Sequence, residues 1–316
     1  MNLSRTLYYI WKKRDSLENK KPGPQNVPWA LTRETILKVL ELKRTFEEIA
    51  TNYVIAVKAE ISPSSVGKIW NEYFGPRKEK KRKRKAYKSV DWLEKHVCWA
   101  LDTIKIPSRH GYMYAQLVIE EYSRCVLGWI LSYSNTGEKS VMLLEKVIKE
   151  HGIVPLVVKT DRGSEFQNEI LKSYLKEKEV ILMASPGHYP LFNGKMEREN
   201  QIFQKFLKAE KGVLFSAEEI HARLEKAIYM TNHELPRCIF NGKTSADVFK
   251  NGEIYKKEEK TILKEKVEAW ISEIEKARIP RLDKLDVARK AVVQSVIDMG
   301  LCTIKSGDEN VNQFAG

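Results

Sequence analysis

Cysteine is scarce and scattered: Cys98, Cys125, Cys238 and Cys302 are the four in a chain of 316 residues. No CxxC pair occurs and no Cys/His group has zinc spacing, so neither a disulfide framework nor a structural zinc is expected, and a reduced, intracellular setting fits. No apolar run approaches the roughly 18 to 20 residues of a membrane helix, and the N-terminal stretch lacks the apolar core of a signal peptide. The expectation is a soluble protein with no membrane partner. A phosphate-cradling GxxxxGK is also missing, so nothing calls for a nucleotide. Negative charge is short in one region only. Residues 1–90 hold 21 Lys/Arg against 9 Asp/Glu, whereas residues 91–316 hold 34 against 33, so nearly all of the net +13 lies in the first 90 residues. This is the asymmetry of a polyanion-binding module joined to a nearly neutral domain; a solvated basic face is the alternative.

The length suggests more than one domain. Residues 31–76 read as a small helical unit. Thr32 precedes the amphipathic run "RETILKVLELK", with Ile36, Val39, Leu40 and Leu42 at helical spacing, and "TFEEIATNYVIAV" follows. In "ISPSSVGKIWNEYF", Ser62 can cap a helix that Pro63 begins. Val66, Ile69 and Trp70 would face inward, leaving Ser64, Ser65, Gly67, Lys68 and Asn71 outward. A polar third helix suits a helix-turn-helix entering the major groove of double-stranded DNA; a plain three-helix bundle is the competing reading. The adjoining "RKEKKRKRK", residues 77–85, has eight basic residues in nine and tips the balance, with Lys78, Lys81, Arg82, Lys83 and Arg84 as candidate phosphate contacts. Residues 77–90 are read as a basic linker. Upstream, residues 1–30 comprise "NLSRTLYYIWKKRD", read as the last helix of an earlier, clipped DNA-binding unit, and a Pro/Gly-bearing linker.

From Val97 the texture changes to βββ–α–β–α–β–α, a mixed α/β sheet with helices packed on it. Three acids stand out. Asp102 interrupts the apolar strand "WALDTIKI"; a buried carboxylate there needs a partner or a proton. Asp161 ends "PLVVKTD" at a strand's C-terminal edge, where α/β sheets gather ligands. Glu197 lies in the first turn of a long helix, and the thirty-five residues between it and Asp161 accommodate a crossover helix and a strand. Each has an ordinary explanation alone, as a turn residue or a helix-dipole partner. Together, three carboxylates repel and take up protons unless divalent cations compensate. Two Mg²⁺ ions held in this way can activate an attacking oxygen and stabilise the leaving one at phosphorus. Glu165 lacks such spacing and reads as a surface residue.

"WALDTIKI", "VIEEYSRCVLGW", "VVKTDRGSEF", the thirty-five-residue gap and "NGKMERENQ" together resemble the D,D-35-E group, the retroviral-type integrases and bacterial insertion-sequence transposases. "YMTNHELPRCIFNGKTSADVF" is similar to a downstream transposase segment. The resemblance covers roughly residues 90–250 and implies an α/β fold: a ribonuclease-H-like mixed-sheet catalytic core over residues 91–250, behind the N-terminal helix-turn-helix. It implies that Asp102, Asp161 and Glu197 bind two Mg²⁺ (or Mn²⁺) ions, that the enzyme cuts DNA with water and joins the 3′-hydroxyl to target DNA, and that it works as a homo-oligomer on element ends, cytoplasmic and nucleoid-associated if bacterial. Two rivals are a catalytically silent DNA-binding relative and a nuclease without strand joining.

This chain departs from the family pattern in two places. Glu120-Glu121-Tyr122 adds negative charge near the site, and Glu234-Leu235-Pro236 replaces Arg-Pro-His, removing a possible DNA contact. On the helix of Glu197, Gln201, Gln204 and Lys208 share a face opposite Met196, Phe203, Phe206 and Leu207. Asn193, Gln201 and Lys208 are the DNA-contact candidates there; His188 and Tyr189 precede them in a loop. Residues 251–316 read as a helical C-terminal extension with apolar stripes at Ile262, Leu263, Trp270, Ile271 and Ile274 and at Val292, Val293, Val296 and Ile297, serving docking or assembly.

Overall fold

Eleven residues, apolar and buried at the start and alternating after Asp102, form β2 (Cys98–Ser108). It is the centre of a five-stranded sheet in the computed structural model, which describes residues 31–46, 49, 51–75, 88–185, 194–207, 214–276 and 283–306. β3 (Gly111–Glu120) and β4 (Val126–Ser132) continue from β2 as an antiparallel meander. On the other side β5 (Val157–Thr160) and β6 (Ile181–Ala184) run parallel to it, giving the order β4-β3-β2-β5-β6. The parallel strands need crossovers. α4 (Gly137–His151) precedes β5, and α5 (Glu169–Glu177) joins β5 to β6. α4 stops at Gly152, whose left-handed conformation suits a glycine at a helix end. The element sequence is the expected one, and the arrangement is ribonuclease-H-like.

Period-2 alternation sorts the strand residues onto two faces. Trp99, Leu101 and Val118 pack with Leu143, Leu144, Val147 and Leu171 under α4 and α5. Ala100, Ile104 and Leu117 pack with Phe203 and Leu207 of α6 (Gly194–Leu207) and with Ile220 and Leu224 of α7 (Ala217–Tyr229). A π-helical turn (Met230–Glu234), a 3₁₀ turn (Cys238–Phe240) and α8 (Ser245–Asn251) follow.

The N-terminal unit consists of α1 (Arg33–Phe46), α2 (Asn52–Ala59) and α3 (Pro63–Phe74). The second helix begins at Asn52 because the Thr51 side chain accepts a hydrogen bond from the Val54 N–H. Ser62 caps α3 by accepting from the Ser65 N–H, with Pro63 in the first turn as expected. Val39, Phe46, Ile55, Val66 and Ile69 share a core that continues onto Met230, Leu235, Ile202 and Phe206. Trp70, expected inside, is half-buried, stacked on Phe74 with its ring centroid 4.4 Å away.

The C-terminal extension docks on the sheet. α9 (Lys257–Lys276) and α10 (Lys284–Asp298) bury Leu263, Val267, Val292 and Val296 against Trp92, Leu156 and Met183. The extension is not helical throughout: β7 (Cys302–Ser306) pairs antiparallel with β1 (Lys88–Trp92), so residues 88–90, read as linker, are strand. The expected N-terminal helix and linker, the basic run with Lys78, Lys81, Arg82, Lys83 and Arg84, the loop with His188, Tyr189 and Asn193, and Lys208 lie outside the described residues. Among the described residues no helix is long and apolar enough to cross a membrane.

Candidate active site

The pairing of β2 with β5 runs Cys98 to Val157, Trp99 to Val158 and Ala100 to Lys159. Two residues further along the chain are Asp102, within β2, and Asp161, just past the end of β5. Residues two apart on a strand share a face, so Asp102 lies with Ala100 on the face that α6 covers, and Asp161 is near enough to act on its carboxyl. Asp102 is half-buried, and desolvation pushes its carboxyl up to about 6. Asp161 and Glu165 push the same way, while the Thr103 N–H (2.8 Å) and the Asn200 side-chain amide (2.5 Å) pull back. Asp161 is also raised, first by burial and then by Glu165, against a 2.8 Å hydrogen bond from the Gly163 N–H.

Glu165 is therefore a member of this acid group and not the surface residue its spacing suggested. It is half-buried, and the Asn135 amide donates to it at 2.7 Å. Asn135 in turn accepts from Gln116 at 2.7 Å, so the loop before α4 fixes Glu165 by contacts no local pattern announces. A Cβ at Gly163 would stand 2.5 Å from Glu165 Oε2 and 2.9 Å from Asp161 Oδ1, so any larger residue there would displace these two carboxylates.

Glu197 lies in the first turn of α6 and is exposed. Asn200, three residues on, is the α6 residue that touches Asp102. Three residues return the helix to within about 60° of the same direction, so Glu197 stands at the margin of the face toward Asp102. Among the described residues no three His, Cys, Asp or Glu side chains gather closely enough to hold one ion. The donor set nevertheless fits a hard divalent cation. It is all oxygen, two of its carboxyls are raised by burial and mutual repulsion, and among the described residues no ion pair neutralises Asp102, Asp161 or Glu165.

The flanking positive residues are engaged elsewhere. Lys159, on β5, donates to the buried Glu121 at 2.8 Å. Lys195, in the first turn of α6, lies 3.4 Å from Glu121 and 3.3 Å from Asp91. Glu121 is thereby held down at about 2, the two lysines outweighing its burial. The charge on Glu121 is thus compensated locally, whereas Glu120 has, among the described residues, only neutral donors, taking hydrogen bonds from His96, Tyr122 and Ser123, and burial raises its carboxyl. Arg162, next to Asp161, pairs with Asp283 (2.6 Å) and Asp286 (2.9 Å) of the C-terminal extension. Glu199 of α6 takes a two-pronged hydrogen bond from Arg237 at 2.5 and 2.8 Å.

Of the DNA-contact candidates, Ser64, Lys68, Asn71 and Gln201 are exposed and Ser65 is half-buried. The Ser64 and Ser65 hydroxyls lie 2.7 and 2.9 Å from that of Ser62. Glu234, where an Arg was expected from the family, pairs with Lys58 at 2.9 Å and helps seat α2 on the core.

Residues 94–188, which carry Asp102, Asp161 and Glu165, match the family model described as Integrase core domain. Over 114 residues the chain is 32% identical to the transposase for insertion sequence element IS904 of Lactococcus lactis subsp. lactis (strain IL1403), covering 35% of this chain and 43% of that protein. Over 137 residues it is 26% identical to the putative integrase ORF3 of Spiroplasma virus SpV1-C74, covering 38% and 37%. The aligned part therefore spans less than half the length of either relative. Among solved structures the chain is similar to the HTLV-2 integrase catalytic core domain in complex with magnesium, at 17% identity and a TM-score of 0.40, covering 50% of this chain and 98% of that one. The matched segment contains Asp102 and Asp161, and Glu197 follows it on α6.

Proposed function

We propose that this chain is a transposase that binds element-end DNA, hydrolyses phosphodiester bonds and joins the freed 3′-hydroxyl ends to target DNA. The observation that carries the reading is the pairing of β2 with β5, which brings Asp102 near Asp161 within the segment that matches the integrase core domain, both raised by desolvation. Asp102, Asp161 and Glu197 would hold Mg²⁺ or Mn²⁺, two ions per site. Such ions supply charge neutralisation at the phosphate and lower the pKa of the attacking oxygen. The residues' part is to place carboxylate oxygens at one sheet edge: Asp102 fixed by Thr103 and Asn200, Asp161 by the Gly163 N–H, and Glu197 brought to the margin by α6. No side chain needs to form a covalent bond to DNA.

The exposed face of α3, with Ser64, Ser65, Lys68 and Asn71, and the basic run from Lys78 to Arg84 would supply duplex binding, since several lysines and arginines along one segment release counterions from phosphate. Asn193, Gln201 and Lys208 would contact the backbone beside the acids. Handling two ends together calls for a homo-oligomer on DNA. A cytoplasmic, nucleoid-associated location goes with this reading.

The test is a strand-transfer assay with purified chain, DNA carrying the element's own ends, and Mg²⁺ or Mn²⁺. Joined product is expected to form and to fall by roughly three orders of magnitude, about 4 kcal/mol of barrier, in Asp161→Asn or Glu197→Gln, with DNA binding retained. Binding without nicking or joining by the unaltered chain favours the catalytically silent relative, and nicking without joining favours the nuclease.

A further inference from the structure

Glu121 stands just past the end of β3, 3% exposed, with its N–H donating to the Cys98 carbonyl at 3.1 Å. Its two oxygens face two lysines from different elements. Oε1 accepts from Lys159 at 2.8 Å, and Oε2 lies 3.4 Å from Lys195. Lys159 is two residues before Asp161, and Lys195 is two residues before Glu197. Lys195 is anchored further, donating to the Val90 carbonyl at 2.8 Å and lying 3.3 Å from Asp91.

We propose that Glu121 is a positioning residue for the acid site, fixing through Lys159 the strand that leads to Asp161 and through Lys195 the helical turn that carries Glu197. The proposal rests on the metal-holding reading of those acids. Asp102, Asp161 and Glu165 repel one another, and only a rigid frame keeps such groups together before a cation arrives. Buried ion pairs provide such a frame, because separating them leaves charges without partners in a dry environment, so the arrangement is held to one geometry. Two lysines against Glu121 and Asp91 balance in charge, so the brace adds no field that would repel a cation.

Mn²⁺ binding to the purified full-length chain, followed by the loss of free-ion electron paramagnetic resonance signal, separates positioning from simple stabilisation. Glu121→Gln and Lys195→Met are each expected to raise the half-saturating Mn²⁺ concentration at least fivefold, and Lys195→Arg to return it to within twofold of the unaltered chain. Leu144→Ala, which opens a cavity under α4 away from the acids, is expected to lower the melting temperature while leaving the Mn²⁺ midpoint within twofold. If Glu121→Gln does not fold, Lys195→Met with its Arg counterpart decides. Unchanged midpoints in Glu121→Gln and Lys195→Met overturn the positioning role alone. Mn²⁺ binding that is insensitive to Asp161→Asn in the otherwise unaltered chain overturns the metal reading, and the brace with it.

Discussion

Two groups of carboxylates, wholly or partly buried, lie close together on this sheet, and they are treated in opposite ways. Glu121 is the more deeply enclosed of the principal pair, yet it is held at about 2 because Lys159 and Lys195 face it. Asp102 is pushed up to about 6, with two neutral donors and two further acids around it. Desolvation is common to both, so it alone does not distinguish a site from a structural ion cluster. The distinguishing property is several carboxyls gathered, among the described residues, without a cation, since the buried Glu120 also lacks one but stands among neutral donors; folding tolerates such a group where a ligand supplies the missing charge.

The sharpest way to break this contrast is to remove the compensated charge. Glu121→Gln leaves Lys159, only 6% exposed, facing a neutral amide, and is expected to destabilise the chain by about 3 to 5 kcal/mol in chemical unfolding. Removing the uncompensated charge should do the reverse. Asp102→Asn in the presence of a chelator is expected to stabilise the protein at pH 8, by on the order of 2 to 3 kcal/mol. Among the described residues the buried Asn200 carbonyl oxygen has no hydrogen-bond partner, so a flip of that amide can serve the new donor. The pH dependence follows from the raised carboxyl. Its stabilising contribution is fully present below 3.8, where it is protonated in both folded and unfolded chains, and is lost as pH rises through about 6. The advantage of Asp102→Asn should therefore shrink as pH falls through 6 toward 4. An advantage independent of pH would mean that the charge on Asp102 is not what strains the site.

Asp102 was legible in the sequence because an isolated charge in an apolar strand demands a partner, and Asp161 because it closes the next buried strand. The same rule applies to Lys159 in "PLVVKTD" and would have asked for its partner too; the reply, Glu121, lies thirty-eight residues away across the sheet. Glu165 could not be placed, since the contact that holds it comes from Asn135 in the loop before α4. Asn200 carries no signal beyond being a polar residue near the inner margin of α6. The helices and strands of the core follow from periods of 3.6 and 2, which are local. The pairing of β1 with β7 joins residues 88–92 to 302–306, and neither short run has enough alternation to announce a strand.

The smallest expected effect concerns Arg162, whose charge is the nearest in sequence to Asp161. Its guanidinium is held outward by Asp283 and Asp286, while its Nε donates to the Ser185 carbonyl at 2.9 Å. Arg162 is 29% exposed and Asp283 51%, so water and salt screen the pairs. Asp283 also caps α10 by accepting from the Asp286 N–H, a role asparagine fills as well. The change Asp283→Asn should then lower stability by less than about 1 kcal/mol, with the difference largely gone in 1 M salt. With Asp283 made neutral, the Arg162 charge is less compensated beside Asp161, and Mn²⁺ should bind modestly less tightly through repulsion. A large loss of stability, or tighter metal binding, would instead make the C-terminal extension part of the frame that holds the acids, alongside Glu121 and its two lysines.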